Sequence, residues 1–378
     1  MESLQWPRTE RLRPTVRGAR ATGRQPVRLR VAAAGVVAVA VALGIAGLVA
    51  RPDAAGTPAV VAPGLAVLAP DVAGRPWLAH RADGRTVWGR AGARERTVLP
   101  EGETGLAVAG HWLASGVSTV GTTHVRVRDL DTGAVVLEQD AGFRVAAAAL
   151  AGDRLLLTGY AAGVARQDAG IVALDIPSGT SHMLVAARPF DARLGASPAK
   201  GDFQLSAGGR LAAVNTCGAS GCDTVVIDLA SLATSTPQLG GTGFLRAVTD
   251  DVLVLTDADG GWIKGIDVRT GRTRFTIADA GLMEPAAMAD GRVIADVGGG
   301  TRGWQVAAFG ADGRLSPLTD PARAPGPWVW PGLSSPNVVV LGDVPFEAAL
   351  AGGAASANTL IRGADLMQIG TLVVQPGE

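Results

Sequence analysis

Two turn signals recur along this chain in step with one another. The first, a Gly or its substitute between short apolar runs, falls at Gly74, Gly110, Gly152, Gly209, Asp251, Gly291 and Asn337, about 44 residues apart. The second falls near Gly92, Gly133, Gly179, Ser231, Gly271, Gly313 and Asp365, about 46 residues apart. Short Val, Leu and Ala runs separate the turns, and beyond residue 64 no segment shows a long 3.6-residue period. Each unit reads as strand, tight turn, strand, loop, strand, Asp-bearing turn, strand. A sheet of four such strands has two apolar faces and cannot bury both alone, so neighbouring units must cover them.

The expected fold is therefore all-β: a seven-bladed β-propeller of four-stranded blades over residues 65–378. The segment IVALDIPSG illustrates the alternation. Ile171, Ala173 and Asp175 share one face, and Val172, Leu174 and Ile176 share the other, as for a sheet sandwiched between two others. Asp129, Asp175, Asp228 and Asp267 end the third strand of their units, with Gly133, Gly179 and Gly271 just beyond. An Asp there accepts backbone N–H bonds from its turn, and Gly supplies a positive φ, so these residues are expected to be structural.

The phrase of a strand, Ala-Leu-Asp, a Thr-Gly turn and a second strand resembles the quinoprotein-type (PQQ-like) propeller repeat, shared with WD40-like propellers. Residues 171–179 and Ile266-Asp267-Val-Arg-Thr-Gly271 are the closest matches. The resemblance implies architecture over about 310 residues. Where that repeat often carries Trp, this chain has Leu137, Met183 and Phe275, and no cofactor is expected.

Residues 31–50, VAAAGVVAVAVALGIAGLVA, carry no charge and no polar side chain. As a helix this segment is about 30 Å long, the thickness of a bilayer's hydrocarbon core, and one transmembrane helix is expected there. Residues 1–30 are a tail of net charge +6, which leaves −6 for the rest of a neutral chain. Basic residues beside a span stay on the cytoplasmic side, so the tail is expected inside the cell membrane and the large domain outside. A cleaved signal peptide is the rival, but its apolar core is usually about 7–15 residues. Residues 51–64, with three prolines, read as a linker.

Candidate chemistry is sparse. Cys217 and Cys222 flank a four-residue loop, residues 218–221, between two expected strands. A disulfide suits that spacing and an oxidising compartment. The rivals are a redox pair or half a zinc site, which would need further ligands; His80, His111, His124 and His182 are scattered. Asp257-Ala-Asp-Gly260 resembles the start of a calcium loop but lacks the remaining ligands, and no metal is expected. Trp328 and Trp330, set among Pro325, Pro327 and Pro331, are the ligand-binding candidates; the alternative is that both pack at the start of the last unit. Residues 188–200 read as a surface loop, and residues 346–358 as a helix-capable insertion. No nucleophile-elbow, zincin or P-loop motif occurs.

The expected function is a membrane-anchored extracytoplasmic binding or scaffold module, for another extracytoplasmic protein or a small ligand. Nucleic acid is not an expected partner, because the exported part is acidic and lacks a basic stripe. An extracytoplasmic oxidoreductase, lyase or hydrolase with its site at the channel mouth, and a transmembrane sensor, are the alternatives. The catalytic residues of such an enzyme cannot be read from the sequence.

Overall fold

Glycine at positive φ punctuates the chain at many of the points where one strand reverses into the next. Gly110 and Gly152, at φ +59° and +58°, each make such a reversal, which a side chain would strain. The computed structural model describes residues 66–67 and 74–374, apart from 81–83, 92, 94–95, 162–166, 187–198, 201, 219–220, 238–242, 258–260, 300–302, 323–327, 332–333, 335, 343–355, 363, 365 and 367. Among the described residues there is no helix, and the strands form antiparallel sheets of mostly four members. The candidate span, the linker and the helix-capable insertion (up to residue 355) lie outside the described residues. Among those described, no helix is long and apolar enough to cross a membrane.

The strands follow one another in space as they do in sequence. Strand β1 (Ala66–Val67) comes first. The first sheet holds β2 (Pro76–His80), β3 (Thr86–Arg90) and β4 (Arg96–Val98). The second holds β5 (Thr104–Ala109), β6 (Trp112–Ser118), β7 (Thr123–Asp129) and β8 (Val135–Asp140), and the third β9 (Phe143–Ala151), β10 (Arg154–Ala161), β11 (Gln167–Asp175) and β12 (Ser181–Val185). In the fourth, β13 (Ala199–Lys200) and β14 (Gln204–Leu205) both pair with β15 (Leu211–Gly218), followed by β16 (Gly221–Asp228) and β17 (Thr234–Ser235). The fifth holds β18 (Phe244–Val248), β19 (Val252–Thr256), β20 (Trp262–Asp267) and β21 (Thr273–Ala278). The sixth holds β22 (Gly281–Ala287), β23 (Val293–Gly298), β24 (Trp304–Phe309) and β25 (Ser316–Pro317). The last holds β26 (Trp328–Val329), β27 (Val338–Gly342), β28 (Ser356–Arg362) and β29 (Gln368–Val374). Strand β1 pairs with β29, Ala66 opposite Val373 and Val67 opposite Leu372, which ties the two ends of the described chain together.

Sheet faces pack on sheet faces. The alternation of β11 sends Val172 and Leu174 into a cluster with Val125 and Val127 of the second sheet. Ile171 and Ala173 face the other way, into a cluster with Val214 and Ile227 of the fourth. The next seam joins Ala213 and Val226 to Leu253 and Leu255 of the fifth sheet. Beyond it, Phe275 of the fifth meets Phe309 of the sixth edge-on, ring centroids 6.0 Å apart, and Ile294 and Val306 of the sixth meet Val339 and Leu341 of the last. Such clusters supply the apolar burial that one four-stranded sheet lacks.

Two local expectations need correction. The hairpin between the cysteines is tighter than four residues: β15 and β16 run on to Gly218 and Gly221, which pair with each other. The segment read as a loop to Lys200 ends in a strand, because Ala199 and Lys200 pair with Cys217 and Thr216.

Candidate functional site: a cavity framed by the first turns

The first turns converge on one cavity of about 430 Å³. Residues 106–109 reach it just before Gly110, residues 148–150 before Gly152, and residues 204–207 before Gly209. Residues 247–248, 285–287 and Pro336 arrive in the same way ahead of Asp251, Gly291 and Asn337. Arg75 enters beside Gly74, and Pro331 and Ser334 complete the wall. Each copy of the first turn signal thus contributes, although consecutive copies lie tens of residues apart in the chain. The wall is mostly Ala, Val, Leu and Pro, with Gln204, Ser206, Ser334 and Arg75 as its polar members.

The second turns brace the first. Asp129 Oδ1 accepts bonds from Asp131 N–H (2.9 Å), Thr132 N–H (2.8 Å) and Thr132 Oγ1 (3.1 Å). Asp228 makes the same set with Ala230 and Ser231, and Asp267 with Arg269 and Thr270. Asp175 accepts from the N–H and hydroxyl of Ser178. Gly133, Gly179 and Gly271, at φ +74°, +69° and +68°, each donate N–H to the carbonyl of their Asp. These bonds hold all four carboxyls below the ordinary Asp range; at Asp267 the Arg274 guanidinium is the largest cause.

The residue after each Asp then reaches the first turn. Leu130 N–H donates to His111 C=O (2.7 Å), Ile176 to Asp153 (2.9 Å), Leu229 to Arg210 (2.8 Å) and Val268 to Asp251 (3.0 Å). In the first sheet the same bond runs from Ala91 N–H to Arg75 C=O (2.8 Å). Strands β2, β3 and β4 therefore correspond to the second, third and fourth strands of the other sheets. Arg75 holds the place of His111 and Asp153, and its backbone is fixed where its side chain enters the cavity.

The tryptophans sit elsewhere. Trp330 is 1% exposed and its indole lies over Gly342, where an added Cβ would come within 2.4 Å of the ring. Trp328 is half-buried on β26. Neither lines the cavity, whereas the adjoining Pro331 does. Cys217 and Cys222 stand opposite each other in the backbone register of β15 and β16. Asp257 Oδ1 accepts from Gly261 N–H at 2.6 Å, capping its own turn, and residues 258–260 lie outside the described residues. Of the positions where the resembling repeat carries Trp, Leu137 and Phe275 are buried and Met183 is exposed.

Sequence reasoning missed Arg75. Nothing local distinguishes it from the other arginines, because the wall that isolates it comes from other copies of the repeat. No sequence signal marks it: His111, Asp153, Arg210 and Arg292 also follow a first-turn Gly by one residue and do not line the cavity.

No protein-family model matches the chain, and no curated protein sequence matches it. Among solved structures it is similar to a prolyl endopeptidase, at 14% identity over 80% of this chain and 49% of that one, with a TM-score of 0.51. It is also similar to the β-propeller domain of the Trilobed protease from Pyrococcus furiosus, at 12% identity over 78% of this chain and 93% of that one, TM-score 0.46. A third likeness is to the β-propeller domain of Cps50 (Swd1) from Myceliophteria thermophila, at 13% identity over 72% and 94%, TM-score 0.43. The chain spans about half the length of the peptidases it matches. At these identities the likeness concerns fold alone. Among its described residues the chain is all-β, a succession of packed antiparallel sheets of mostly four strands, and the solved structures it is similar to include β-propeller domains.

Proposed function

We propose that this chain is a single-pass membrane protein that carries a seven-bladed β-propeller outside the cell membrane as a binding or scaffold module. One observation supports the reading best: all seven copies of the first turn signal border one cavity, and its described wall is neutral apart from Arg75. Such a wall offers a shaped, apolar recess of the size small ligands use. The pairing of β1 with β29 supports a closed ring, since it fastens the start of the repeat region to its end. The apolar span and basic tail support the anchor and its orientation, and the acidic exported part argues against nucleic acid.

The test is retention against turnover. The full chain in lipid nanodiscs is equilibrated with small molecules released by its host and analysed by native mass spectrometry. A host molecule held and recovered unchanged is the expected result. Conversion of a host molecule into a new product would overturn the non-enzymatic reading.

A further inference from the structure

Among the described residues lining the cavity, Arg75 is the only ionisable one. Its backbone is pinned on both sides: Gly74 N–H donates to Ala91 C=O at 2.7 Å, and Ala91 N–H to Arg75 C=O at 2.8 Å. Its Nε is buried without a hydrogen-bond partner. Burial pulls its pKa below the ordinary value, although a guanidinium stays protonated near neutral pH. A charge in an apolar wall with a bare donor is costly, and a paired anion relieves that cost. The planar N–H fork of a guanidinium matches a carboxylate in two parallel bonds. One wall hydroxyl is suited to assist. Ser206 Oγ accepts from Arg210 N–H (3.2 Å) and Leu211 N–H (3.1 Å), so its own hydrogen remains to donate. Around these groups the wall is made of small apolar residues such as Ala109, Ala149, Val248 and Pro285.

We infer that the cavity is a binding site for a small organic monoanion, a carboxylate on an apolar body, with Arg75 as the anchor of the carboxylate. The inference rests on the binding-module reading of this cavity and names the ligand class that reading leaves open. Arg75 is a ligand anchor rather than a structural cation, because no acid of the described chain compensates it and its backbone is already held by main-chain bonds.

The experiment is calorimetry on the full chain in nanodiscs, with benzoate and benzamide as probes of equal shape and different charge, and empty nanodiscs as the blank. Benzoate should bind at one site per chain and benzamide at least about tenfold more weakly. Arg75→Met should weaken benzoate by about tenfold or more and leave benzamide unchanged, with Arg75→Lys between the two. Ala287→Leu keeps the guanidinium but narrows the cavity, and should also weaken benzoate. The thermal midpoint of Arg75→Met should not fall, since the variant removes a poorly compensated charge. Equal binding of the two probes, or benzoate affinity unmoved by Arg75→Met, would overturn the anchor. Affinity unmoved by Ala287→Leu would overturn its place in the cavity. Turnover in the retention experiment would defeat the binding-module reading without touching these contrasts. A host molecule retained unchanged, beside equal binding of benzoate and benzamide, would defeat the carboxylate anchor alone.

Discussion

Arg128 grips Glu103 on the face of the second sheet that meets the first. Its Nη2 lies 3.0 Å from Oε2, and its Nη1 reaches both Oε1 and the Ser115 hydroxyl. The Glu103 side chain is 1% exposed. Gly105 N–H, two residues on, donates to Thr86 Oγ1 of the first sheet at 3.0 Å, which places this polar group at the seam. The opposite face of the same sheet, with Val125, Val127 and Leu137, is apolar and joins the third sheet. The face toward the first sheet thus sets this ion pair beside the fully buried Leu113, whereas the opposite face is apolar throughout its cluster.

Removing one partner from such a pair leaves the other charged and enclosed. Arg128→Met is expected to lower stability by about 3 kcal/mol, and more than Glu103→Gln, which removes the charge while keeping the shape. Burial works to raise the Glu103 pKa, but the hydrogen bonds from Arg128 and Ser115 and the charges of Arg128 and Arg126 outweigh it and hold the carboxyl low. A carboxyl depressed in the folded state contributes stability above its unfolded pKa of about 4.3 and loses it as pH falls through the folded value. Urea titrations across the acid range should therefore show a shallower loss of stability in Glu103→Gln. An identical acid profile in variant and parent would contradict this.

Trp330 fills the space over Gly342 on β27. Trp330→Ala should cost about 3–5 kcal/mol, the range for emptying a buried aromatic site. Trp328→Ala should cost less, because that side chain is only half-buried. Gly342→Ala forces a methyl against the indole and should cost about 1–3 kcal/mol. Thermal unfolding of the three variants checks the ranking; an insensitive Trp330 would reopen a binding role for it.

The difference between these two seams shows what the sequence makes legible. Turn chemistry is local. Asp129 and Gly133 announce their turn because the carboxyl and the positive φ serve groups within five residues. The two-face alternation of β11 is equally local, and its partners follow from the period. Where the local rule is broken, the signal fades. In the fourth sheet the glycine position is Leu232, at φ +59°, donating N–H to Asp228 C=O just as Gly133 does to Asp129. The sequence marker at Ser231 is therefore one residue early. The cavity was not legible at all. Arg75, Ser206 and Pro285 become neighbours of one space only after the sheets stack, and no spacing rule encodes that. Trp330 stood as two alternatives, a ligand contact or packing, and no local signal chose between them; the missing side chain at Gly342 shows where its ring lies.

Asp267 differs from the other turn aspartates by a second partner, since Arg274 Nε donates to its Oδ2 at 2.9 Å. Asp267→Ala should therefore lower the thermal midpoint more than Asp175→Ala. Its carboxyl is depressed first by Arg274 and then by the Thr270 bonds, so the contribution is present above the ordinary Asp pKa and fades as pH falls below it. Midpoints measured at neutral and acid pH should converge for parent and Asp267→Ala. A gap that persists at low pH would assign the effect to packing.

The proposed anchor predicts a protease pattern. Protease added to spheroplasts should degrade the repeat domain and spare residues 1–30, because the basic tail stays on the cytoplasmic side. A mature N-terminus at or beyond Ala50 would replace the anchor with a cleaved leader.

Cys217 and Cys222 occupy directly opposed positions on β15 and β16. Opposed residues of antiparallel strands have Cα atoms about 4.5–5.5 Å apart, within the span a disulfide bridges. In an oxidising compartment the pair should be closed, and mass spectrometry of alkylated, unreduced protein exported by its host should find neither thiol labelled. The ring it closes is small, so its effect on the unfolded chain is modest: the double variant Cys217→Ser, Cys222→Ser should lose only about 2 kcal/mol and stay folded. The strands also pair Gly218 with Gly221 at the tip, so the register does not depend on the bond. Hydrogen exchange should consequently quicken at residues 216–223 and stay unchanged in the fifth and sixth sheets. Full labelling of both thiols in the native protein would end the disulfide proposal and return weight to the redox and metal alternatives.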